Sequence, residues 1–165
     1  LWDFAQGYAH LREGDADFGE VYLKRVQHIA ETSEAQMRFH SAETLLGVAA
    51  GILEGELLRE SGDLGAAVTA FENAVTLEDS LDYDEPEPLP FAARHWLGAV
   101  LLELERYADA ERVYREELQD HPHNGWSLFG LQIAIEAQGQ TDEAVDTDLE
   151  QSWARADIWL RASRF

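Results

Sequence analysis

The most telling absences in this sequence are cysteine, long apolar runs and, over most of its length, proline. Without cysteine, neither a disulfide framework nor thiolate chemistry is available. No run of apolar residues approaches the roughly 20 that a membrane-spanning helix requires. The few helix breakers stand at Pro86, Pro88, Pro90 and Pro122. Together with abundant alanine, leucine and glutamate, these absences predict a soluble, all-helical protein.

Sequence motifs of common enzymes are missing as well. The chain has no phosphate-binding glycine loop, no nucleophile elbow and no HExxH. We therefore predict that the protein is not an enzyme, has no catalytic residues and needs no cofactor.

Two groups of residues could bind a metal ion, although neither has a complete ligand pattern. The first is acidic and close enough in sequence for a hard cation such as calcium, but it lacks EF-hand spacing; its members are Asp82, Asp84, Glu85 and Glu87. The second is the pair His121 and His123, for which the sequence supplies no third ligand. We predict no metal site.

Positive charge is scarce in this chain. Twelve basic residues face 33 acidic ones, which gives a formal net charge of -21, and Lys24 is the one lysine. Such a surface repels phosphate groups, so nucleic acid and anionic membranes are poor partners. A protein or a peptide is the expected partner. No secretory signal is visible, which favours the cytoplasm, although a chain that starts at Leu1 without methionine is compatible with a partial sequence.

What the sequence does contain is an internal repeat. Glycine or its replacement occurs at four turn positions, each followed five residues later by a small residue; the turn positions are Gly14, Gly62, Glu105 and Gly139. The last two lie 34 residues apart, the period of a helix-turn-helix repeat. The earlier intervals of 48 and 43 residues leave room for insertions of 14 and 9.

Three further columns of the repeat carry packing residues. The eighth position, where a small residue lets the two helices of a pair approach closely, holds Gly7, Gly55, Gly98 and Gln132. The twenty-fourth holds Leu23, Phe71, Tyr114 and Asp148, and the twenty-seventh holds Val26, Ala74, Glu117 and Gln151. With Pro122 near the end of the third copy, this pattern resembles the tetratricopeptide repeat.

The resemblance implies an all-α fold, a right-handed superhelical solenoid of about four antiparallel helix pairs with a C-terminal tail. We predict a single domain over residues 1–165, with repeats at 1–31, 48–81, 91–124 and 125–156. The insertions are 32–47 and 82–90, and the tail is 157–165. Ser33 and Gln36 form a capping-box pattern that predicts one long helix up to Glu60, and the acidic, proline-rich segment 78–90 predicts a loop.

The C-terminal half resembles a narrower group. The stretches LEDSLDYDEPEPLPFAARHWLGAVLLE and AERVYREELQDHPHNGWSLFGL, with the ending ASRF, are similar to the C-terminal part of long bacterial tetratricopeptide proteins. This resemblance carries no chemical activity. It implies that the chain is the C-terminal portion of a longer array.

In tetratricopeptide proteins, fixed columns of each first helix face a concave groove that binds a peptide or a helix. Here those columns predict an apolar, aromatic groove with Arg12 and Arg59 as charge anchors; its residues are Phe4, Tyr8, Arg12, Ile52, Arg59, His95, Leu102, Trp126, Phe129 and Ile133. The resemblance thus predicts a non-catalytic protein-interaction module. The alternative is an assembly element that forms a homo-oligomer or docks onto the rest of its own chain, with the groove filled by its own tail.

Overall fold

The computed structural model describes residues 1–164, so Phe165, the last residue of the predicted tail, lies outside the described residues. The chain divides into two compact units, Leu1–Ala93 and Arg94–Phe165. Residues 1–164 contain eight helices and one two-stranded hairpin, which confirms the all-α prediction. None of the helices in this range combines the length and the apolar character needed to cross a bilayer.

The N-terminal unit consists of four helices and the hairpin. Its elements are α1 (Trp2–Arg12), α2 (Ala16–Thr32), β1 (Gln36–Met37), β2 (His40–Ser41), α3 (Ala42–Glu60) and α4 (Leu64–Glu78). Successive helices pack against each other. The other four helices are α5 (Ala93–Glu103), which begins at the last residue of the N-terminal unit, α6 (Tyr107–Asp120), α7 (Gly125–Ala137) and α8 (Glu143–Trp153).

The turn inside each helix pair has the same geometry in all four repeats. Its φ angle is positive each time: 86° at Gly14, 88° at Gly62, 58° at Glu105 and 73° at Gly139. The N–H of the following residue donates to a carbonyl five residues earlier, as in Asp15 to His10 and Arg106 to Leu101. This is the helix-ending turn for which glycine is preferred, because a Cβ disfavours the left-handed region. Of the four turn residues, only Glu105 adopts this conformation with a Cβ present.

Aspartate then starts three of the four second helices. The side chain of Asp15 accepts a hydrogen bond from the Phe18 N–H (3.2 Å), and Asp63 accepts from Ala66 (3.0 Å). Asp142 caps α8 in the same way, by accepting from Ala144 (3.2 Å). Such caps satisfy N–H groups that have no partner inside the helix.

Small residues of the eighth column allow an aromatic ring to pack between helices. A Cβ built at Gly55 would lie 2.3 Å from the Phe71 ring, and one at Gly98 would lie 2.2 Å from the Tyr114 ring. A Cβ built at Gly130 of α7 would also lie 2.2 Å from the Tyr114 ring. Both rings are fully buried. The repeat therefore places one large aromatic residue where neighbouring helices leave room for it.

The first insertion differs from its prediction. Ser33 does not start a helix with Gln36: its Oγ accepts from the Ala35 N–H (3.2 Å), and residues 36–41 form an antiparallel hairpin in which Met37 faces His40. The helix starts at Ala42, capped by Ser41, whose Oγ accepts from the Thr44 N–H (3.1 Å). The prediction of one helix from residue 33 is therefore wrong, because a second capping serine eight residues later competes with the first.

The two insertions contact each other within the N-terminal unit. Asp84, in the loop after α4, is buried and pairs with Arg38 in the hairpin turn. His40 Nε2 lies 3.6 Å from the other oxygen of Asp84, and Arg38 also donates to the Glu85 carbonyl oxygen (3.0 Å). We call Arg38, His40 and Asp84 the clasp. Asp84, which the sequence offered as a cation ligand, is engaged by two side chains of the protein.

Candidate partner-binding surface

The residues predicted to line the groove are mostly core residues in the N-terminal unit. Phe4, Tyr8 and Ile52 are buried. The Phe4 ring lies 5.8 Å from the Tyr8 ring and 5.4 Å from the Phe91 ring, measured between centroids. These three predicted side chains thus offer almost no surface to a partner.

The two predicted charge anchors differ in their surroundings. Arg12 is exposed at the end of α1. Arg59 pairs with two carboxylates of its own helix. Its Nε lies 3.4 Å from Glu56 Oε1, and its Nη1 lies 3.0 Å from Glu60 Oε1. Because Glu56 is fully buried, its pairing with Arg59 compensates a charge that would be costly to leave unpaired in the core.

In the C-terminal unit, four of the five predicted residues keep part of their surface. Trp126, Phe129 and Ile133 are half-buried and follow the spacing that places side chains on one face of α7. Leu102 on α5 is half-buried too, whereas His95 is buried. Trp126 also meets the ring of Trp153 edge-on at 5.8 Å. Trp126, Phe129 and Ile133 thus form a partly exposed apolar face on α7.

Behind this face, polar side chains of α5, α6 and α7 form a buried cluster. Glu117 Oε1 lies 2.7 Å from His121 Nδ1, 3.3 Å from the Asn124 amide and 3.9 Å from His95 Nε2. The Ser127 hydroxyl lies close to Glu117 and acts to lower the pKa of its carboxyl. Burial lowers the pKa of His95 to about 4 and raises the pKa of Glu117.

The cluster has a structural position rather than a reactive one. His95, Glu117 and Ser127 are all buried, so a substrate in solution does not reach the hydroxyl or the carboxylate. Among residues 1–164, no group of three or more histidine and acidic side chains is arranged to hold a metal ion.

The end of the chain folds back onto the C-terminal unit. The Ser163 hydroxyl hydrogen-bonds to the Tyr114 hydroxyl and lies within 3.5 Å of the His95 carbonyl oxygen. The Arg164 guanidinium lies 3.8 Å from the Glu103 carboxylate. Ser163 and Arg164 are both buried, and burial raises the pKa of Tyr114.

The contacts of Ser163 and Arg164 are polar. Trp159 is 92% exposed and Ile158 is 57% exposed, so neither of these two side chains holds the tail in place. The Ile158 backbone oxygen does accept a hydrogen bond from the Trp153 indole (3.1 Å). Sequence reasoning missed Ser163 and Arg164 because a short polar residue and a basic residue near a chain end are ordinary surface residues. The signal that could have found them is Tyr114, the one phenol in a column otherwise free of hydroxyl groups.

Comparison with known proteins found no protein that is similar to this chain. The chain matches no protein-family model, no curated protein and no solved structure.

Proposed function

We propose that this chain is a tetratricopeptide-like repeat protein that acts as a non-catalytic protein-interaction module. The four identical turns and the glycine-to-aromatic packing support the repeat assignment. In tetratricopeptide repeats, which this chain resembles, the fifth and thirteenth positions of each repeat face the groove that binds a peptide. Those columns contain His95 and Glu103, which contact the chain's own tail.

That contact is the observation that carries the proposal. A non-helical segment of the chain lies against the columns expected to hold a peptide, with both its serine and its arginine buried. The half-exposed Trp126, Phe129 and Ile133 provide an apolar face on α7 for further contact with a partner. Aromatic anchors of this kind often dominate binding energy at interfaces.

Binding to other proteins is tested by affinity capture with two matched aromatic variants. Phe129→Ala removes a half-buried ring on α7, and Phe18→Ala removes an exposed ring on α2 in the N-terminal unit. We expect that a partner captured by the unaltered chain is lost with Phe129→Ala and retained with Phe18→Ala. Identical partner lists for both variants would contradict a binding surface on α7.

A second candidate function, assembly into a homo-oligomer, is favoured by the outer surface of α2. Phe18, Val21 and Ile29 are 52%, 50% and 40% exposed, and large exposed apolar side chains usually mark contact surfaces. Light scattering on the Phe18→Ala variant tests this candidate, because a dimer built on α2 should dissociate more readily when the ring is removed. An unchanged monomer mass for both proteins would exclude the candidate.

A further inference from the structure

The residues that hold the tail form a small site on the C-terminal unit. It consists of the Tyr114 hydroxyl, the His95 carbonyl oxygen and the Glu103 carboxylate, and we call it the tail site. His95 and Glu103 are eight residues apart on α5, a distance of about 12 Å along the helix axis. Successive Cα atoms are about 3.8 Å apart, so Ser163 at one end and the long side chain of Arg164 at the other bridge this distance.

Each position of the tail site selects a particular side chain. A hydroxyl group can donate to the His95 carbonyl oxygen and also bond to the Tyr114 hydroxyl. Ser163 is only 1% exposed, so its side chain is enclosed by its neighbours. Arg164 places a guanidinium beside a carboxylate and near the buried Tyr114. A guanidinium forms stronger and more directional contacts of this kind than an ammonium does.

The connection to α8 permits the tail to leave. Residues 154–162 contain turns and bends but neither helix nor strand. The Trp153 indole donates to the Ile158 backbone oxygen, and Ser163 and Arg164 contact the Tyr114 hydroxyl, the His95 carbonyl oxygen and the Glu103 carboxylate. A short tether of this kind gives the tail an effective concentration on the order of millimolar at its own site.

We infer that the tail site is a receptor for a protein segment in which a small hydroxyl residue directly precedes an arginine, and that Ser163 and Arg164 fill it in cis. A partner segment of the same chemistry binds by displacing them. This inference rests on the proposed function, namely that the C-terminal unit binds protein segments, and it adds the chemistry of the ligand and a built-in competitor.

The test uses the full chain and a fluorescein-labelled peptide with the sequence of residues 157–165. The peptide is titrated, with anisotropy as the readout, against the unaltered chain, a Ser163→Ala/Arg164→Ala variant and an Arg161→Ala control. Arg161 is exposed, so its loss should leave the cis contact intact. We expect the peptide to bind the double variant at least tenfold more tightly than the other two chains, because the cis competitor is weakened.

Two further measurements make the result specific. A peptide in which both the serine and the arginine are replaced by alanine should not bind the double variant. Adding Glu103→Gln to the double variant should abolish the gain, because it removes the negative charge that faces the arginine. Equal binding to all three chains, or no binding to the double variant, would overturn the inference.

If the double variant does not fold, as judged by circular dichroism, Glu103→Gln alone replaces it. Its side chain is 41% exposed, so the substitution is compatible with folding. It should speed amide hydrogen exchange in the tail at least tenfold, and unchanged exchange would overturn the inference. If the unaltered chain is a dimer and the double variant is a monomer, the tail occupies the tail site of a second copy, and this result would overturn occupancy in cis. Capture through Phe129 involves none of these side chains, so it can succeed when the peptide experiment fails.

Discussion

The second and third repeats, one in each unit, are alike in backbone and opposite in polarity at three equivalent positions. In the N-terminal unit the fifth, twenty-fourth and twenty-seventh columns hold apolar residues, and in the C-terminal unit the same columns hold polar ones. The equivalent pairs are Ile52 and His95, Phe71 and Tyr114, and Ala74 and Glu117; all six residues are buried.

These replacements account for the features peculiar to the C-terminal unit. The Tyr114 hydroxyl is the atom that its counterpart Phe71 lacks, and it binds Ser163 of the tail. Glu117 replaces a methyl group with a carboxylate, around which His121, Asn124 and Ser127 gather. The same helical frame thus holds apolar side chains at these three columns in one unit and, in the other, polar side chains that connect to Ser163 near the end of the chain.

The largest expected effect is a pH dependence that is specific to the C-terminal unit. Burial lowers the pKa of His95 to about 4, so the unfolded chain binds the extra proton between pH 6.5 and 4 and the folded chain does not. The contribution of His95 should therefore lower the free energy of unfolding as pH decreases through this window, by up to about 3 kcal/mol, while the raised pKa of Glu117 acts in the opposite direction. His95→Ile, which copies Ile52, should reduce that fall when urea denaturation is compared at pH 7 and pH 4.5. Equal losses in both proteins would contradict the prediction.

Packing at the eighth column should be equally demanding in both units. We expect Gly98→Ala to lower the free energy of unfolding by about 2 kcal/mol, because the new Cβ overlaps the buried Tyr114 ring. Gly55→Ala should cost a similar amount through Phe71. Gly65→Ala is the control, since the nearest atom to its Cβ is 3.8 Å away; it should stabilise α4 by up to about 1 kcal/mol. A neutral Gly98→Ala in thermal denaturation would argue against this packing.

In the N-terminal unit, we expect the stability of the protein to depend on the buried charge of Asp84 in the clasp. Asp84→Asn removes the charge that Arg38 and His40 face, and we expect it to cost about 2 kcal/mol. Asp82→Asn, an exposed change two residues away, should stay within about 0.5 kcal/mol. Urea denaturation measures both, and equal effects of the two substitutions would mean that the clasp contributes nothing.

Replacing Tyr114 by phenylalanine, the residue at the equivalent position 71, should lower the free energy of unfolding less than the substitutions above. Tyr114→Phe removes the bond to Ser163 and should cost about 1 kcal/mol, with faster amide exchange in the tail. Phe71→Leu in the N-terminal unit should leave tail exchange unchanged. Slow exchange in both variants would show that the tail is held by other contacts.

The smallest expected effect concerns the turns. Glu105 adopts a φ of 58° in the turn that is glycine in the other three repeats. Glu105→Gly should therefore stabilise the protein by about 0.5 to 1 kcal/mol, because it removes the Cβ that disfavours the left-handed region. Gly139→Ala should do the reverse. Thermal denaturation compares the two, and a destabilising Glu105→Gly would indicate that the Glu105 side chain has a stabilising contact.

The features of the fold that could be predicted from the sequence are those that recur in each repeat. Turn positions, aspartate caps and the glycine-aromatic contacts follow from columns in the sequence, because each depends on residues close together in the chain. The hairpin at 36–41 is not predictable in this way. Its turn contains Arg38 with a φ of 58°, a conformation for which the local sequence gives no glycine or asparagine signal. Its stability depends on Asp84, which lies 46 residues further along the chain.

For the candidate surface, the sequence identified the α7 face but not what lies against α5. Phe129 and Ile133 are partly exposed, while Phe4 and Ile52, from the same set of columns, are buried. The difference comes from irregular segments such as Phe91, whose ring covers Phe4. Phe91 begins the third repeat, but its contact with Phe4 of the first repeat does not follow from the repeat columns.

The clasp also constrains how this fold can change over generations. The hairpin supplies Arg38 and His40, and the acidic loop supplies Asp84, so each insertion neutralises what the other buries. Losing the hairpin alone would leave Asp84 without the cation it faces, and losing the loop alone would leave the buried His40 without its acid. The two insertions, although more than 40 positions apart in the sequence, should therefore be inherited, altered and lost as one character.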